Sequence, residues 1–278
     1  MTDSALPLDL DAYLTRIGYT GDRQPTLDVL NALHLAHATH IPFENLDILL
    51  GRPIRLDLTS LQAKLVAGRR GGYCFEHNLL FRAVLEALGF AVRPLAARVR
   101  LGHPSVRART HMLLMVTVAD VPFIADVGFG GGGLLRPIPL VEAEPVRHHA
   151  WDFRLVREGS GWVLQSFTDA QWMDLYTFTL ERQYRIDCEV ANYYVSTHPD
   201  AQFTQGLFVQ QATPEARYFL HDHMLTVDRG PEGETVLTLA DSAERLAVLA
   251  ETFDLHFSPG TTFDHRPTPS LPMKRTAY

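Results

Sequence analysis

The residue best suited to chemistry in this sequence is Cys74, which two glycines precede and an amphipathic pattern follows. Apolar residues recur from Leu80 to Leu88 on one face of a predicted helix, and Gly89 favours its end. The pair Gly71-Gly72 allows a backbone bend that other residues adopt only at a cost. Cys74 is therefore expected in the first helical turn, where unpaired N–H groups favour a thiolate. A cysteine so placed is a candidate nucleophile.

His111 and Asp126 are the candidates for the groups that would activate this thiol. A thiolate nucleophile needs an imidazole to hold its proton and a third group to orient that imidazole. His111 opens an apolar segment that reads as a strand, and Asp126 ends the next one. If 112–118 and 121–127 form a hairpin, the start of one strand lies beside the end of the other. The pattern therefore predicts a Cys74–His111–Asp126 triad.

Each of these three residues also has a purely structural interpretation. Cys74 alone could be a small buried apolar residue, as free cysteines usually are. His111 is one of 13 histidines, and Asp126 could be a turn residue before a glycine. The combination of a helix start with a hairpin favours one catalytic group over three unrelated roles.

Composition and charge exclude several other classes of function. The 278 residues are 46% hydrophobic and 21% charged, as in soluble globular proteins. A net charge of −7 and the lack of a long basic run argue against nucleic-acid binding. With only Cys74 and Cys188, a reducing compartment fits better than a disulfide framework. Residues 1–11 do not resemble a signal peptide, and no apolar run approaches the roughly 18 residues of a membrane span. We therefore expect a cytoplasmic protein without membrane contact.

The order of predicted elements indicates an α+β fold. Helical patterns fill residues 1–89, whereas short strands separated by turn signals dominate residues 90–186. Five or more short sequential strands imply a sheet that curls into a barrel or a sandwich. Residues 187–278 mix helices and strands, and the proline-containing tail from Ser258 is expected to be extended or loosely ordered.

The glycine cluster at 128–133 partly resembles a nucleotide-binding motif. Its first, third and sixth residues satisfy the pattern G-x-G-x-x-G, but that motif requires a helix directly afterwards. Pro137 and the proline two residues later forbid this helix, so a Rossmann site is excluded. The loop could still offer N–H groups to phosphate oxygens beside the thiol. A flexible hairpin loop is an equal alternative.

Two histidine-rich segments, His148-His149 and His221-Asp222-His223, could supply metal ligands. His221 and His223 would share one face of a strand. Neither segment has a matching cysteine or carboxylate cluster at a familiar spacing, so no metal is predicted and these histidines are assigned to the surface. Glu76 and His77 are expected to support the nucleophile's helix rather than to act as the base.

Six sequence blocks, in order, resemble the arylamine N-acetyltransferase family across nearly the whole chain. The blocks are Tyr13-Leu14-Thr15-Arg16-Ile17-Gly18-Tyr19, Ile41-Pro42-Phe43-Glu44-Asn45-Leu46, Arg70-Gly71-Gly72-Tyr73-Cys74-Phe75-Glu76-His77-Asn78, Thr110-His111-Met112-Leu113-Leu114, Asp126-Val127-Gly128-Phe129-Gly130, and Ser196-Thr197-His198-Pro199 followed by Phe203. The cysteine block is the most specific. The resemblance implies that the three predicted triad residues are the family's Cys-His-Asp group.

The resemblance also implies a fold with a catalytic core like that of cysteine proteases and transglutaminases. Its parts would be an N-terminal helical bundle (1–89) carrying the nucleophile, a central β-barrel (90–186) carrying the histidine and aspartate, and a C-terminal α/β lid (187–278). The implied donor is acetyl-CoA, and the implied acceptors are arylamines, arylhydrazines or arylhydroxylamines of xenobiotic metabolism. Cys74 would take the acetyl group first in a ping-pong route, and His111 would accept a proton as the amine attacks. Backbone N–H groups at the start of the helix would stabilise the oxyanion.

Binding residues follow from the same resemblance. The acceptor pocket would include four residues that could stack on a flat amine or pack against it: Phe43, Val99, Phe129 and Phe203. Contacts to CoA would involve four others: Thr110, Gly130, Gly131 and Gly132. The run of four glycines departs from the family because it lacks a polar or basic residue early in the loop. The oligomeric state stays open.

Two alternatives to an acetyltransferase remain. A transglutaminase- or protease-like thiol enzyme uses the same triad in the same order, and activity on a peptide amide without CoA would favour it. A binding module of the same fold would have no turnover. Its cysteine would react with iodoacetamide no faster than a model thiol.

Overall fold

A computed structural model of the chain describes residues 7–266 except 104, 143 and 169. The first part of the chain is helical. Its helices are α1 (Leu10–Arg16), α2 (Leu27–His40), α3 (Leu46–Leu49), α4 (Leu58–Leu61) and α5 (Cys74–Ala87). A π-helical segment (Gln62–Ala67) continues α4, and the two-residue strand β1 (Phe43–Glu44) separates α2 from α3.

The ends of these helices follow from the local sequence. The Asp9 carboxylate accepts from the Ala12 N–H at 2.9 Å, and the Thr26 hydroxyl accepts from the Val29 N–H at 3.3 Å, as N-caps do. Gly18 and Gly89 follow α1 and α5 with φ of 66° and 87°, a region that glycine enters freely. The predicted start and end of α5 therefore agree with the structure.

Eight antiparallel strands form the central sheet, which curls into a nearly closed barrel. The strands are β2 (Ala91–Val99), β3 (His111–Val118), β4 (Val121–Ala125), β5 (Ile138–Pro139), β6 (Val146–His148), β7 (Trp151–Glu158), β8 (Gly161–Thr168) and β9 (Gln171–Phe178). Their order is β5-β4-β3-β2-β9-β8-β7-β6. The predicted α+β fold is thus confirmed, with a barrel rather than a sandwich. Strands β5 and β6 are too short to produce a recognisable alternation in the sequence.

The hairpin of β3 and β4 forms as predicted, although β4 ends two residues earlier than expected. Leu114 pairs with Ala125 and Val118 with Val121, across a turn in which Ala119 and Asp120 both have positive φ. Side chains of β3 alternate between two cores. Met112, Leu114 and Val116 pack against the helices, whereas Leu113 lies in the barrel interior. Burial on both faces explains the unbroken apolar run after His111.

A second sheet lies in the C-terminal part, in the order β1-β10-β11-β12-β13. Its further strands are β10 (Phe208–Ala212), β11 (Arg217–His221), β12 (Met224–Asp228) and β13 (Glu234–Thr238); the helices here are α6 (Arg185–Thr197), α7 (Gln202–Gln205) and α8 (Ser242–Phe253). The Asp241 carboxylate caps α8 by accepting from two backbone N–H groups. Strand β11 was not predicted, because charged residues at both ends hide its short apolar centre.

Strand β1 joins the helical part to this second sheet. It pairs antiparallel with β10, and Phe43 also forms a parallel bridge with Gly72. The Glu44 N–H donates to the Gly72 carbonyl at 2.7 Å. The sheet therefore extends to within two residues of Cys74. The division of the chain at residues 89 and 186 stays a prediction.

The structure describes only part of the two ends of the chain. Residues 258–266 contain no helix or strand. Residues 1–6 and 267–278, with three of the four prolines of the predicted extended tail, lie outside the described residues. Among the helices that the structure describes, none is long and apolar enough to cross a membrane.

Candidate active site

Cys74 is the first residue of α5 and is 3% exposed. Its Sγ lies 3.6 Å from the carbonyl oxygen of Thr110, the residue before β3. The two preceding glycines are required for space rather than for their backbone angles, since neither has a positive φ. A Cβ on Gly71 would lie 1.9 Å from the Pro42 oxygen, and a Cβ on Gly72 would lie 2.7 Å from Glu76 Oε2. The loop can therefore pass this close to its neighbours only without side chains.

His111 and Asp126 meet at the end of the β3–β4 hairpin. The His111 Nε2–H donates to Asp126 Oδ2 at 2.7 Å, and both side chains are buried. The second ring nitrogen, Nδ1, is thereby left for Cys74, which is among the groups that raise the pKa of His111. The structure thus brings together the three residues that the sequence predicts as a triad.

Burial and charge act in opposite directions on this pair. Burial lowers the pKa of His111, but the charge and hydrogen bond of Asp126, together with Cys74, outweigh it and raise that pKa to about 10. Burial raises the pKa of Asp126, whereas the His111 charge and several hydrogen bonds lower it overall. An imidazolium is therefore favoured near neutral pH, and a cation in this position stabilises a thiolate.

Aromatic rings hold the imidazole on two sides. The Phe129 ring centroid lies 5.2 Å from that of His111 at an interplanar angle of 83°, and the Tyr176 centroid lies at 5.0 Å. Edge-to-face packing of this kind restricts the ring and keeps water from it.

The turn after β4 fixes the carboxylate of Asp126. Asp126 Oδ1 accepts from the Gly128 N–H and from Asn78 Nδ2, each at 3.0 Å. The Asp126 N–H donates to His34 Nε2 at 3.1 Å. Gly128 lies so close to α5 that a Cβ would be 2.8 Å from Cys74 Cα. The sequence reasoning missed Asn78 and His34, because their partners are distant along the chain.

A cavity of about 420 Å³ opens beside Cys74 and His111. All four residues predicted for the acceptor pocket line it: Phe43, Val99, Phe129 and Phe203. Further lining residues that were not predicted include Tyr194, Gln210 and Phe219, with Arg107 and Asp200 as charged members. Five Phe or Tyr side chains thus contribute to the wall, which the barrel, the helices and the second sheet build together.

The residues predicted for CoA divide into two groups. Thr110 and Gly132 line the cavity. Gly130 and Gly131 instead face the second sheet, where added Cβ atoms would lie 2.2 Å from Gln210 Oε1 and 2.9 Å from the Phe219 ring. The Gly131 N–H donates to Gln210 Oε1 at 3.1 Å, so it is already bonded within the protein. The assignment of these residues to CoA stays a prediction.

Glu76 and His77 stabilise the start of α5 through buried hydrogen bonds to the preceding backbone. Glu76 Oε1 accepts from Lys64 Nζ at 2.7 Å, and Oε2 accepts from the Tyr73 N–H at 3.1 Å. Burial raises the pKa of Glu76 to about 7, although Lys64 opposes the shift. His77 Nε2 donates to the Gly72 oxygen at 3.0 Å, and burial lowers the pKa of His77 to about 4. A neutral ring bonded to a backbone carbonyl fits the expected supporting role.

The predicted surface placement of the histidine-rich segments is confirmed for His149, His221 and His223, which are exposed, but not for His148. His148 is buried against Phe153 rather than exposed, and burial lowers its pKa to about 3. His221 ends β11, whereas Asp222 and His223 form the turn to β12, so the two histidines do not share a strand. Within residues 7–266 as described, no group of three or more His, Cys, Asp or Glu residues is arranged to hold a metal ion.

Comparison with known proteins adds to this geometry. A family model described as N-acetyltransferase matches residues 26–261, which identifies the chain as an acyltransferase. An arylamine N-acetyltransferase of Mycolicibacterium smegmatis is 46% identical over 248 residues, covering 87% of this chain and 89% of the relative. An arylamine N-acetyltransferase / N-hydroxyarylamine O-acetyltransferase of Salmonella typhimurium is 44% identical over 207 residues, or 74% of each chain.

Solved structures show the same relationship. The arylamine N-acetyltransferase of Mycobacterium marinum in complex with CoA superimposes with a TM-score of 0.85 at 39% identity, over 89% of this chain and 93% of that one. The protein therefore belongs to the arylamine N-acetyltransferase family. The family resemblance read from the sequence blocks is confirmed.

Proposed function

We propose that this protein transfers an acetyl group from acetyl-CoA to the nitrogen of arylamines or arylhydrazines, or to the oxygen of arylhydroxylamines, through acetylated Cys74. The observation that carries the proposal is the 2.7 Å bond between His111 and Asp126, beside a cysteine at a helix start and an aromatic cavity. The relatives named for arylamine acetylation, and the one described with CoA, support the donor and the acceptor class.

In the first half-reaction the Cys74 thiolate attacks the thioester carbonyl of acetyl-CoA. Backbone N–H groups in the first turn of α5 stabilise the negative oxygen that forms. The bond to the CoA sulfur then breaks, and the departing thiolate takes the proton from the imidazolium of His111. The products are acetyl-Cys74, free CoA and a neutral imidazole.

Acetylation prepares His111 for its second role. The charge and hydrogen bond of Cys74 are among the causes that raise the pKa of His111. The thioester removes that charge, so the imidazole more readily stays neutral and can act as a base. In the second half-reaction the amine attacks acetyl-Cys74 and His111 accepts its proton. The bond between carbon and Sγ then breaks, which releases the acetylated amine and restores the ion pair.

The cavity favours a flat aromatic acceptor over a peptide. Phe43 and Phe203 lie with ring centroids 5.7 Å apart, and Phe129 packs against the imidazole. Stacked or edge-on aromatic contacts contribute about 0.5–1.5 kcal/mol each beyond the area they bury. We assign Thr110 and Gly132 to the CoA end of the cavity, with Gly130 and Gly131 shaping the loop behind them.

The intact mass of the protein after brief mixing with acetyl-CoA, without an amine, tests this proposal. We expect a gain of one acetyl group that is absent in Cys74→Ala and is removed when an arylamine is added. Because Cys74 is small and buried, Cys74→Ala should keep the fold, which circular dichroism checks. A reactive thiol that gains no acetyl group would refute acetyl-CoA as the donor and favour the hydrolase-like alternative. A thiol no more reactive than a model thiol would favour a binding module.

A further inference from the structure

We propose that Asn78 is a positioning residue that holds the strand of His111 and the turn of Asp126 against the helix of Cys74. The inference rests on the proposed function, because it assigns to Asn78 the alignment of the groups that would carry acetyl transfer. Asn78 itself does not touch the reacting atoms.

The contacts of Asn78 join three elements through one amide. Asn78 lies four residues after Cys74 in α5, on the same face one turn further along, and is fully buried. Its Nδ2 donates to the Met112 carbonyl at 2.8 Å and to Asp126 Oδ1 at 3.0 Å. Its Oδ1 accepts from the Val127 N–H at 3.3 Å. Helix α5, strand β3 and the turn after β4 therefore meet at this side chain.

The pattern of donors and acceptors requires an amide at this position. An amide offers two N–H donors and an acceptor oxygen, and all three kinds of contact are used here. Aspartate would keep the shape but lose both donors, and alanine would leave buried partners unsatisfied. Asparagine also favours a helix less than alanine or leucine does, so its presence in the second turn of α5 is not explained by helix propensity.

The same amide determines which oxygen of Asp126 faces His111. Asn78 Nδ2 and the Gly128 N–H both donate to Oδ1, which leaves Oδ2 directed at His111 Nε2. The hydrogen bond from Asn78 is also one of the causes that lower the pKa of Asp126. Because the amide is neutral, it stabilises the carboxylate without competing with the imidazolium for charge.

The surroundings of the pair contain few other groups that titrate. Apart from Cys74, two such groups interact electrostatically with Asp126: His34 of α2 and the Tyr176 hydroxyl of β9. A substitution at Asn78 leaves both of these residues in place. A change in the pH dependence of the thiol would therefore report on the alignment of the pair.

Alkylation of Cys74 by iodoacetamide as a function of pH tests the inference without any acyl donor. We compare the wild type with Asn78→Asp and Asn78→Ala, and read folding from thermal unfolding. The control is Asn45→Ala, because Asn45 is equally buried and donates to the Phe203 and Gly206 carbonyls at 2.8 and 2.7 Å while accepting from the Phe208 N–H at 2.9 Å. It makes the same number of bonds and touches no triad residue.

Both Asn78 variants should shift the rise of the alkylation rate towards higher pH, because a displaced imidazolium stabilises the thiolate less. Asn78→Asp should shift it further, since a second carboxyl beside Asp126 opposes ionisation of that group. Loss of a bond to a buried charge predicts a fall in kcat of about 10- to 100-fold, with little change in KM for the amine. Asn45→Ala should lower the unfolding temperature and leave the alkylation profile unchanged.

The outcomes separate this inference from the proposed function. Folded Asn78 variants with the wild-type alkylation profile would show that Asn78 is only a structural residue. If Asn78→Ala does not fold, the nearly isosteric Asn78→Asp still decides the question. A shifted profile in a protein that acquires no acetyl group from acetyl-CoA would support the role of Asn78 and refute the proposed donor.

Discussion

Replacement of Asp126 by asparagine should invert the protonation of His111 while leaving the fold unchanged. Asp126 Oδ1 is surrounded by two donors, the Gly128 N–H and Asn78 Nδ2. An amide at position 126 satisfies them only by placing its oxygen there, which directs its NH₂ group at His111 Nε2. In the variant, His111 Nε2 must then accept a hydrogen bond from this amide, so the ring proton moves to Nδ1. His111 would present a donor to Cys74 where the reaction needs a base.

The magnitude follows from the charge that is lost. Asp126 is the main cause that raises the pKa of His111 from 6.5 to about 10, against the opposing effect of burial. Without the carboxylate that pKa should fall to 6.5 or below, a change worth about 5 kcal/mol at roughly 1.4 kcal/mol per pKa unit. The equivalent substitution in a serine-protease triad lowers kcat about 10⁴-fold, which is of the same order. We therefore expect kcat/KM to fall by about 10³- to 10⁴-fold.

Single-turnover acetylation by acetyl-CoA, followed by rapid quenching and mass spectrometry, measures this effect on the first half-reaction. The matched control is Asp120→Asn in the exposed β3–β4 turn, where φ is 64° and asparagine is tolerated. That variant should acetylate at the wild-type rate. An Asp126→Asn protein that is folded and acetylates within tenfold of the wild type would refute the assignment of Asp126 as the group that orients His111.

Three further predictions concern Gly128, Glu76 and Gln210. Gly128→Ala should lower stability by about 1–3 kcal/mol and abolish acetylation, because its Cβ would lie 2.8 Å from Cys74 Cα; urea unfolding and the mass assay check both effects. Burial raises the pKa of Glu76 from 4.5 to about 7, so this carboxyl contributes stability below pH 4.5 that is lost as the pH rises through 7. Glu76→Gln should therefore flatten the decline of the unfolding free energy with pH, measured by denaturation curves. An unchanged dependence on pH would contradict the shift. Gln210→Ala should free the Gly131 N–H and change KM for acetyl-CoA more than kcat, whereas Gln210→Glu keeps the acceptor. Steady-state kinetics would disprove this prediction if KM stayed constant in both variants.

The candidate triad was predictable because each member lies at the end of an element with a clear local signal. The helix start at Cys74 follows two glycines, and the β3–β4 turn at Ala119-Asp120 fixes which strand ends meet. The meeting of these three element ends can therefore be predicted from local signals, without the rest of the fold. For the same reason the predicted helix from Cys74 to Leu88 agrees with α5 to within a residue or two.

Contacts between distant segments were beyond the reach of the sequence. His34 meets Asp126 across 92 positions, and Gln210 meets Gly131 across 79. Neither His34 nor Gln210 gives a periodic or compositional signal. A single polar residue in an apolar stretch of sequence looks the same whether its side chain is exposed or hydrogen-bonded. His148 was misplaced for this reason, and the requirement for small residues at 71 and 72 became clear only from the atoms that surround them.

Strand β1 has a consequence for how ligands reach the thiol. Phe43–Glu44 is hydrogen-bonded on one side to β10 and on the other to the Gly72 carbonyl, two residues before the nucleophile. Any rotation of the five-stranded sheet away from α5 would break these backbone bonds and pull on the loop that sets the position of Cys74. We therefore expect exchange of donor and acceptor to use motions of other cavity walls, such as the segment 105–108 and the connection between α6 and α7. Amide hydrogen exchange should then be slow at Phe43 and Glu44 and faster in those two segments, during turnover as well as at rest.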